Sequence, residues 1–118
     1  MEKVIGLGGL FFRAKDPKAL ADWYDKHLGV TNYQMGEPWV QTGGTTVFAP
    51  FKQDTGKFPA DKTAMWNFRV TDLEALVQQL RDAGIQVEVD PGPYDYGRFA
   101  HLSDPEGNAI ELWQEENL

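Results

Sequence analysis

Residues 12–20 of this chain return, altered but legible, at residues 68–76. Phe12-Arg13-Ala14-Lys15-Asp16-Pro17-Lys18-Ala19-Leu20 becomes Phe68-Arg69-Val70-Thr71-Asp72-Leu73-Glu74-Ala75-Leu76, with Phe, Arg, Asp, Ala and Leu kept at a common offset of 56 residues. Gly29 is answered by Gly84, one residue out of phase. In 118 residues, a repeat of about half the length means one domain made of two similar units, since a solenoid needs several shorter ones. Units paired in this way face each other across a cleft, and that cleft is where a site is expected.

Each unit begins with a strand and continues as a helix. Residues 8–14 are apolar and aromatic and end at Asp16-Pro17, a carboxylate at the N-cap followed by proline at the first helical position. Leu20, Trp23, Tyr24 and Leu28 then recur at helical spacing, and Gly29 stops the helix at the left-handed position. The second unit repeats the plan with a strand over 64–70, cap Asp72, a helix using Leu73, Leu76, Val77 and Leu80, and stop Gly84. Shorter strand-like runs follow each helix, at 32–34, 39–41 and 45–49 and again at 86–89, 98–102 and 108–113. The order in each unit is β-α-β-β-β, so the fold class is α+β, with two tandem βαβββ modules. Module one covers about 1–51, a polar link with Gly and Pro about 52–62, and module two about 63–118, within one domain of 1–118.

Composition removes several classes of function. An apolar fraction of 42% and an aromatic fraction of 13% belong to a globular chain. No apolar run approaches the roughly twenty residues of a membrane span, and Met1-Glu2-Lys3-Val4-Ile5-Gly6 does not open a signal peptide. A net charge of −7 argues against nucleic acid, which asks for clustered Lys and Arg. Zero cysteines exclude disulfides and thiolate metal sites and make the cytoplasm the expected location. Gly6-Leu7-Gly8-Gly9 precedes a strand, so it is no dinucleotide fingerprint.

The repeat, together with Gly97-Arg98-Phe99-Ala100-His101-Leu102-Ser103-Asp104-Pro105-Glu106-Gly107-Asn108-Ala109-Ile110-Glu111-Leu112-Trp113, resembles the vicinal oxygen chelate superfamily of glyoxalase I, bleomycin-resistance proteins, fosfomycin-resistance enzymes and extradiol dioxygenases. The resemblance implies a curved, half-open barrel with the ligand on its concave face, and a homodimer. Metal-dependent members place a ligand in the first strand of each module, seven residues before the helix-start Asp; here Gly9 and Met65 stand there. The last strands supply the others: module two keeps Glu111, and module one offers Val47-Phe48-Ala49. Glycine has no ligating group and a thioether suits hard divalent metals poorly. No cofactor is therefore expected; if a divalent metal does bind, His101 and Glu111 are its ligands, with a third from Asp95, Tyr96 or a second subunit.

Period-two alternation assigns the faces independently. Centring the last hairpin on Glu106 sets His101 opposite Glu111 and Leu102 opposite Ile110. Ala100, Leu102, Ile110 and Leu112 then face the helices, leaving Phe99, His101, Ala109, Glu111 and Trp113 concave. The first strands add Phe11 and Arg13 from module one and Met65, Asn67 and Arg69 from module two. The loop 90–97, framed by Pro and Gly, is a lid that carries Tyr94 and Tyr96.

Two functional classes follow for this small-molecule cavity. His101 and Glu111, with Cβ atoms about 5 Å apart across the strands, form an acid–base pair or a cross-strand contact that only orients the hairpin. If the pair is chemical, the protein is a glyoxalase-like isomerase, lyase or dioxygenase. If it is not, Phe11, Phe99, Tyr96 and Trp113 wall a binder that sequesters a compound, as bleomycin-resistance proteins do. Arg13 and Arg69 either clamp an anionic ligand or pair with nearby carboxylates. His27 suits the helix dipole at its C-terminus rather than catalysis.

Overall fold

Both helix starts form as their sequences dictate. In the computed structural model, which describes residues 1–32 and 36–116, helix α1 spans Pro17–Leu28 and helix α2 spans Leu73–Asp82. The Asp16 carboxylate accepts the Ala19 N–H at 3.1 Å, and the Asp72 carboxylate accepts the Ala75 N–H at 3.0 Å. Each satisfies a donor that the first helical turn cannot bond internally. Gly29 closes α1 at φ 70°, donating its N–H to the Asp25 carbonyl.

Strands β1 (Met65–Arg69), β2 (Glu88–Val89), β3 (Gly97–Ser103) and β4 (Ala109–Glu115) form one open sheet in the order β1-β4-β3-β2. Strands β3 and β4 pair antiparallel with His101 opposite Glu111 and Leu102 opposite Ile110, the register that a turn centred on Glu106 requires. Strand β1 lies parallel to β4, with Asn67 beside Glu111 and Arg69 beside Trp113. The fold is α+β, and β1, α2, β2, β3 and β4 build the second βαβββ module in the expected order.

Alternation decides the core. Ala100, Ile110 and Leu112 have no exposed surface, and with Leu102 they meet Leu73, Val77 and Leu80 of α2. Helix α1 adds Leu20 and Tyr24 to that same core, while Phe12, ring centroid 4.5 Å from Trp66, covers its edge. The helix of the first unit therefore packs on the sheet of the second.

The first unit departs from the strand pattern. Among the described residues, 8–14, 39–41 and 45–49 enter no ladder, and Tyr33 and Gln34 of the expected 32–34 strand lie outside the described residues. Of 8–14, Ala14 packs against the core and Phe12 reaches Tyr24 with its ring, while Leu10 is exposed. Phe11, Val40 and Phe48 are more than four-fifths exposed, because α1 has placed its apolar face on the second unit. A strand without a paired neighbour or a core for one face does not form alone. Among the described residues no helix is long and apolar enough to cross a membrane.

Two contacts pin α1 to the β3–β4 turn. The Glu106 carboxylate accepts the Lys15 and Asp16 N–H groups at 2.6 and 3.0 Å. Beneath it, the buried Asp104 carboxyl accepts the Tyr24 hydroxyl at 2.7 Å, and that hydroxyl accepts the Trp66 indole N–H at 2.9 Å. Burial first, and then the bond to Asp104, raises the Tyr24 pKa well above the ordinary tyrosine range, which keeps the hydroxyl a donor.

Candidate functional site

The face of the sheet away from the helices takes the residues that alternate with the core. Strand pairing sets Asn67, Glu111, His101 and Glu88 in a row across all four strands. Glu111 is held on both sides: the Asn67 amide N–H donates to its Oε1 at 2.7 Å, and its Oε2 lies 2.7 Å from His101 Nε2. The His101 side chain is 39% exposed, so the pair is reachable by a ligand. When Nε2 carries the proton it donates to Glu111, and the lone pair of Nδ1 is left to accept a proton from elsewhere.

One step along the strands stands an aromatic row. Trp113 and Phe99 are opposed across β3 and β4, with ring centroids 6.0 Å apart and planes within 5°. The loop after β2 adds Tyr94 and Tyr96, stacked at 5.5 Å, each edge-on to Phe99 at 5.7 Å. The Trp113 indole N–H donates to the Tyr96 carbonyl at 3.0 Å, fixing the loop to the wall. Gly97 makes this approach possible. Its φ is 140°, and a Cβ there would collide with the Gln114 carbonyl and lie 2.6 Å from Trp113 Nε1.

Asp90 closes this end. Its carboxylate accepts the Gly92 N–H at 3.0 Å and the Tyr94 hydroxyl at 3.1 Å. The Gly92 N–H does most to hold the Asp90 pKa below its ordinary value; the Tyr94 hydroxyl and the charges of His101 and Lys57 add to the lowering. The Tyr94 hydroxyl is pushed up in return, chiefly by the hydrogen bond to Asp90.

Seven of the expected site residues thus lie on this face or its rim: His101, Glu111, Asn67 and Arg69 on the strands, with Phe99, Trp113 and Tyr96 in the aromatic row. Arg69 turns its guanidinium to the Thr42 and Gly43 carbonyls at 2.6 and 3.4 Å, tying the first unit to β1. Met65 opens β1 beside Ala109 and lines a cavity under the link between the units. Phe11 is 94% exposed with its ring turned onto Gly9, and Arg13 is exposed. Neither joins the cluster. Sequence reasoning missed Glu88, and it placed Asp90 in the lid without a role. Tyr94 was visible in the lid, but its bond to Asp90 depends on a loop conformation that no periodicity encodes.

The donor set fits a divalent metal poorly. Gly9 offers no ligand, and Met65 offers a thioether, which suits hard divalent metals poorly.

Comparison with known families finds that the model of the Glyoxalase/Bleomycin resistance protein/Dioxygenase superfamily matches residues 6–112. No curated protein matches. Among solved structures, TnmS3 from Streptomyces sp. CB03234, an antibiotic binding protein, is 24% identical with TM-score 0.60, over 98% of this chain and 100% of that one. A glyoxalase family protein from Bacillus anthracis is 31% identical with TM-score 0.43, over 52% of this chain and 50% of that one. A glyoxalase/bleomycin resistance protein from Streptomyces sp. CB03234 is 34% identical with TM-score 0.38, over 43% of this chain and 46% of that one. The chain thus spans about half the length of these last two proteins.

Proposed function

We propose that this chain, which belongs to the Glyoxalase/Bleomycin resistance protein/Dioxygenase superfamily, binds a small organic molecule on the open face of its sheet without a metal centre. The observation that carries the reading is the juxtaposition of the Tyr94, Tyr96, Phe99 and Trp113 rings with the polar row Asn67–Glu111–His101. Ligand sites combine apolar walls with a few placed polar groups in this way. The likeness to TnmS3 supports the fold, while the binding assignment rests on the side chains themselves. In a calorimetric titration with a series of aromatic compounds in EDTA, binding is expected to survive the chelator. Phe99→Ala is expected to weaken it about tenfold through loss of ring contact. Binding that needs metal, or that ignores Phe99→Ala, would sink the assignment.

A second reading is favoured by one observation, the 2.7 Å contact between His101 Nε2 and Glu111 Oε2. A carboxylate-held imidazole facing a ligand can remove a proton next to a carbonyl, the chemistry of an isomerase or lyase.

We propose further that the protein is a cytoplasmic homodimer. Ile5, Phe11, Val40, Val47 and Phe48 are exposed apolar side chains in the first half, and monomers seldom leave such surface in water. Sedimentation equilibrium should give twice the chain mass at micromolar concentration; a monomer throughout that range rules the dimer out.

A further inference from the structure

The segment linking the two units does more than connect them. Between it and the start of β1 lies a cavity of about 580 Å³, within the span typical of small-molecule pockets. Phe51 and Phe58 form part of its wall, with ring centroids 5.9 Å apart, and Met65 adds an adaptable thioether. The charged lining is of one sign. Lys52 and Lys62 contribute, whereas Asp54 and Asp61 of the same segment do not line it, and neither does any other Asp or Glu among the described residues. That runs against a chain whose net charge is −7. Lys62 is steadied by donating to the Glu106 carbonyl at 3.1 Å, which uses one of the three donors of its ammonium group.

We infer that this cavity takes a small organic anion with an apolar, ring-bearing body, held by Lys52 and Lys62 at its charged end and by Phe51, Phe58 and Met65 along its body. The open face carries three carboxylates, Glu88, Asp90 and Glu111, beside Arg69 and His101, whereas no carboxylate lines this cavity. The assignment does not depend on the function proposed above.

Anilinonaphthalene sulfonate, an aromatic anion whose fluorescence rises in apolar surroundings, serves as the probe, with uncharged phenylnaphthylamine as its control. The anion is expected to saturate one site and to shift amide resonances of residues 49–65. Lys52→Glu should weaken the anion about tenfold and leave the uncharged control unchanged, with Lys52→Met falling between. Lys52 is an exposed side chain, so both variants are expected to keep the far-ultraviolet dichroism of the parent. Equal affinity for the two probes, indifference to both Lys52 variants, or shifts centred on Phe99 and Trp113 would each overturn the assignment. The last outcome would leave the open-face site standing, and loss of that site through Phe99→Ala would leave this one standing.

Discussion

Asp104→Ala is expected to cost about 3–5 kcal/mol of stability. The Asp104 carboxyl, 4% exposed, accepts four hydrogen bonds. Oδ1 takes the Glu106 and Asn108 N–H groups at 2.8 and 3.0 Å, and Oδ2 takes the Tyr24 hydroxyl and the Asn108 amide at 2.7 and 2.8 Å. Truncation strands three buried donors, from Tyr24 and Asn108, and the part-buried Glu106 N–H, and the Tyr24 hydroxyl also loses the partner that orients it toward Trp66. For a chain of this size the melting temperature should fall by roughly 10–20 °C in a thermal unfolding scan. Asp104→Asn keeps the shape and the Oδ1 acceptor but turns an amide donor toward Tyr24 and Asn108. It should still lose about half as much, which separates hydrogen bonding from cavity formation. A fall of under about 4 °C for Asp104→Ala would mean that the turn reorganises and that the network is not what joins α1 to the hairpin.

That network explains a pattern visible in the sequence itself. The Asp104-Pro105-Glu106-Gly107-Asn108 turn is the most specific stretch of the sequence, although it contributes nothing to the open face. Its chemistry is spent on joining: Asp104 binds Tyr24, and Glu106 binds the backbone ahead of α1. Elements whose signals are local were legible in the sequence. The caps Asp16 and Asp72 act within three residues, and the β3–β4 register follows from the turn centre alone. The strands of the first unit were not legible in the same sense. Apolar alternation records that a segment can be a strand, but a ladder also needs a neighbour, and α1 directs its apolar residues to the other unit.

The candidate site divides along the same line. His101, Glu111, Asn67, Phe99 and Trp113 lie on regular strands, where period two fixes the face once a single register is known. Arg69 shares that face, but its role was set from elsewhere: the Thr42 and Gly43 carbonyls arrive from a segment with no periodic signal. Asp90 and Tyr94 depend on the turn after β2, where Gly92 donates back to Asp90. Strand faces can be counted from a sequence; contacts made by irregular backbone cannot.

His101→Ala should separate the two functional readings more sharply than any other change. The His101–Glu111 contact is 39% and 21% exposed on its two sides, so its loss should cost about 1 kcal/mol of stability or less, and the fold should survive. Ligand affinity should fall less than with Phe99→Ala, because the aromatic row does not include the imidazole. Where the pair acts on a carbonyl substrate, however, turnover should fall by a factor on the order of 10²–10⁴, the usual contribution of a placed general base. Glu111→Gln refines the test. It keeps a side chain able to accept from Asn67 but replaces the carboxylate that holds the imidazole, so turnover should drop, by less than for His101→Ala. Binding without turnover in the parent leaves the sequestering reading alone. Turnover that is unchanged in a folded His101→Ala variant removes the imidazole from the chemistry and returns the His101–Glu111 pair to a contact that orients the hairpin.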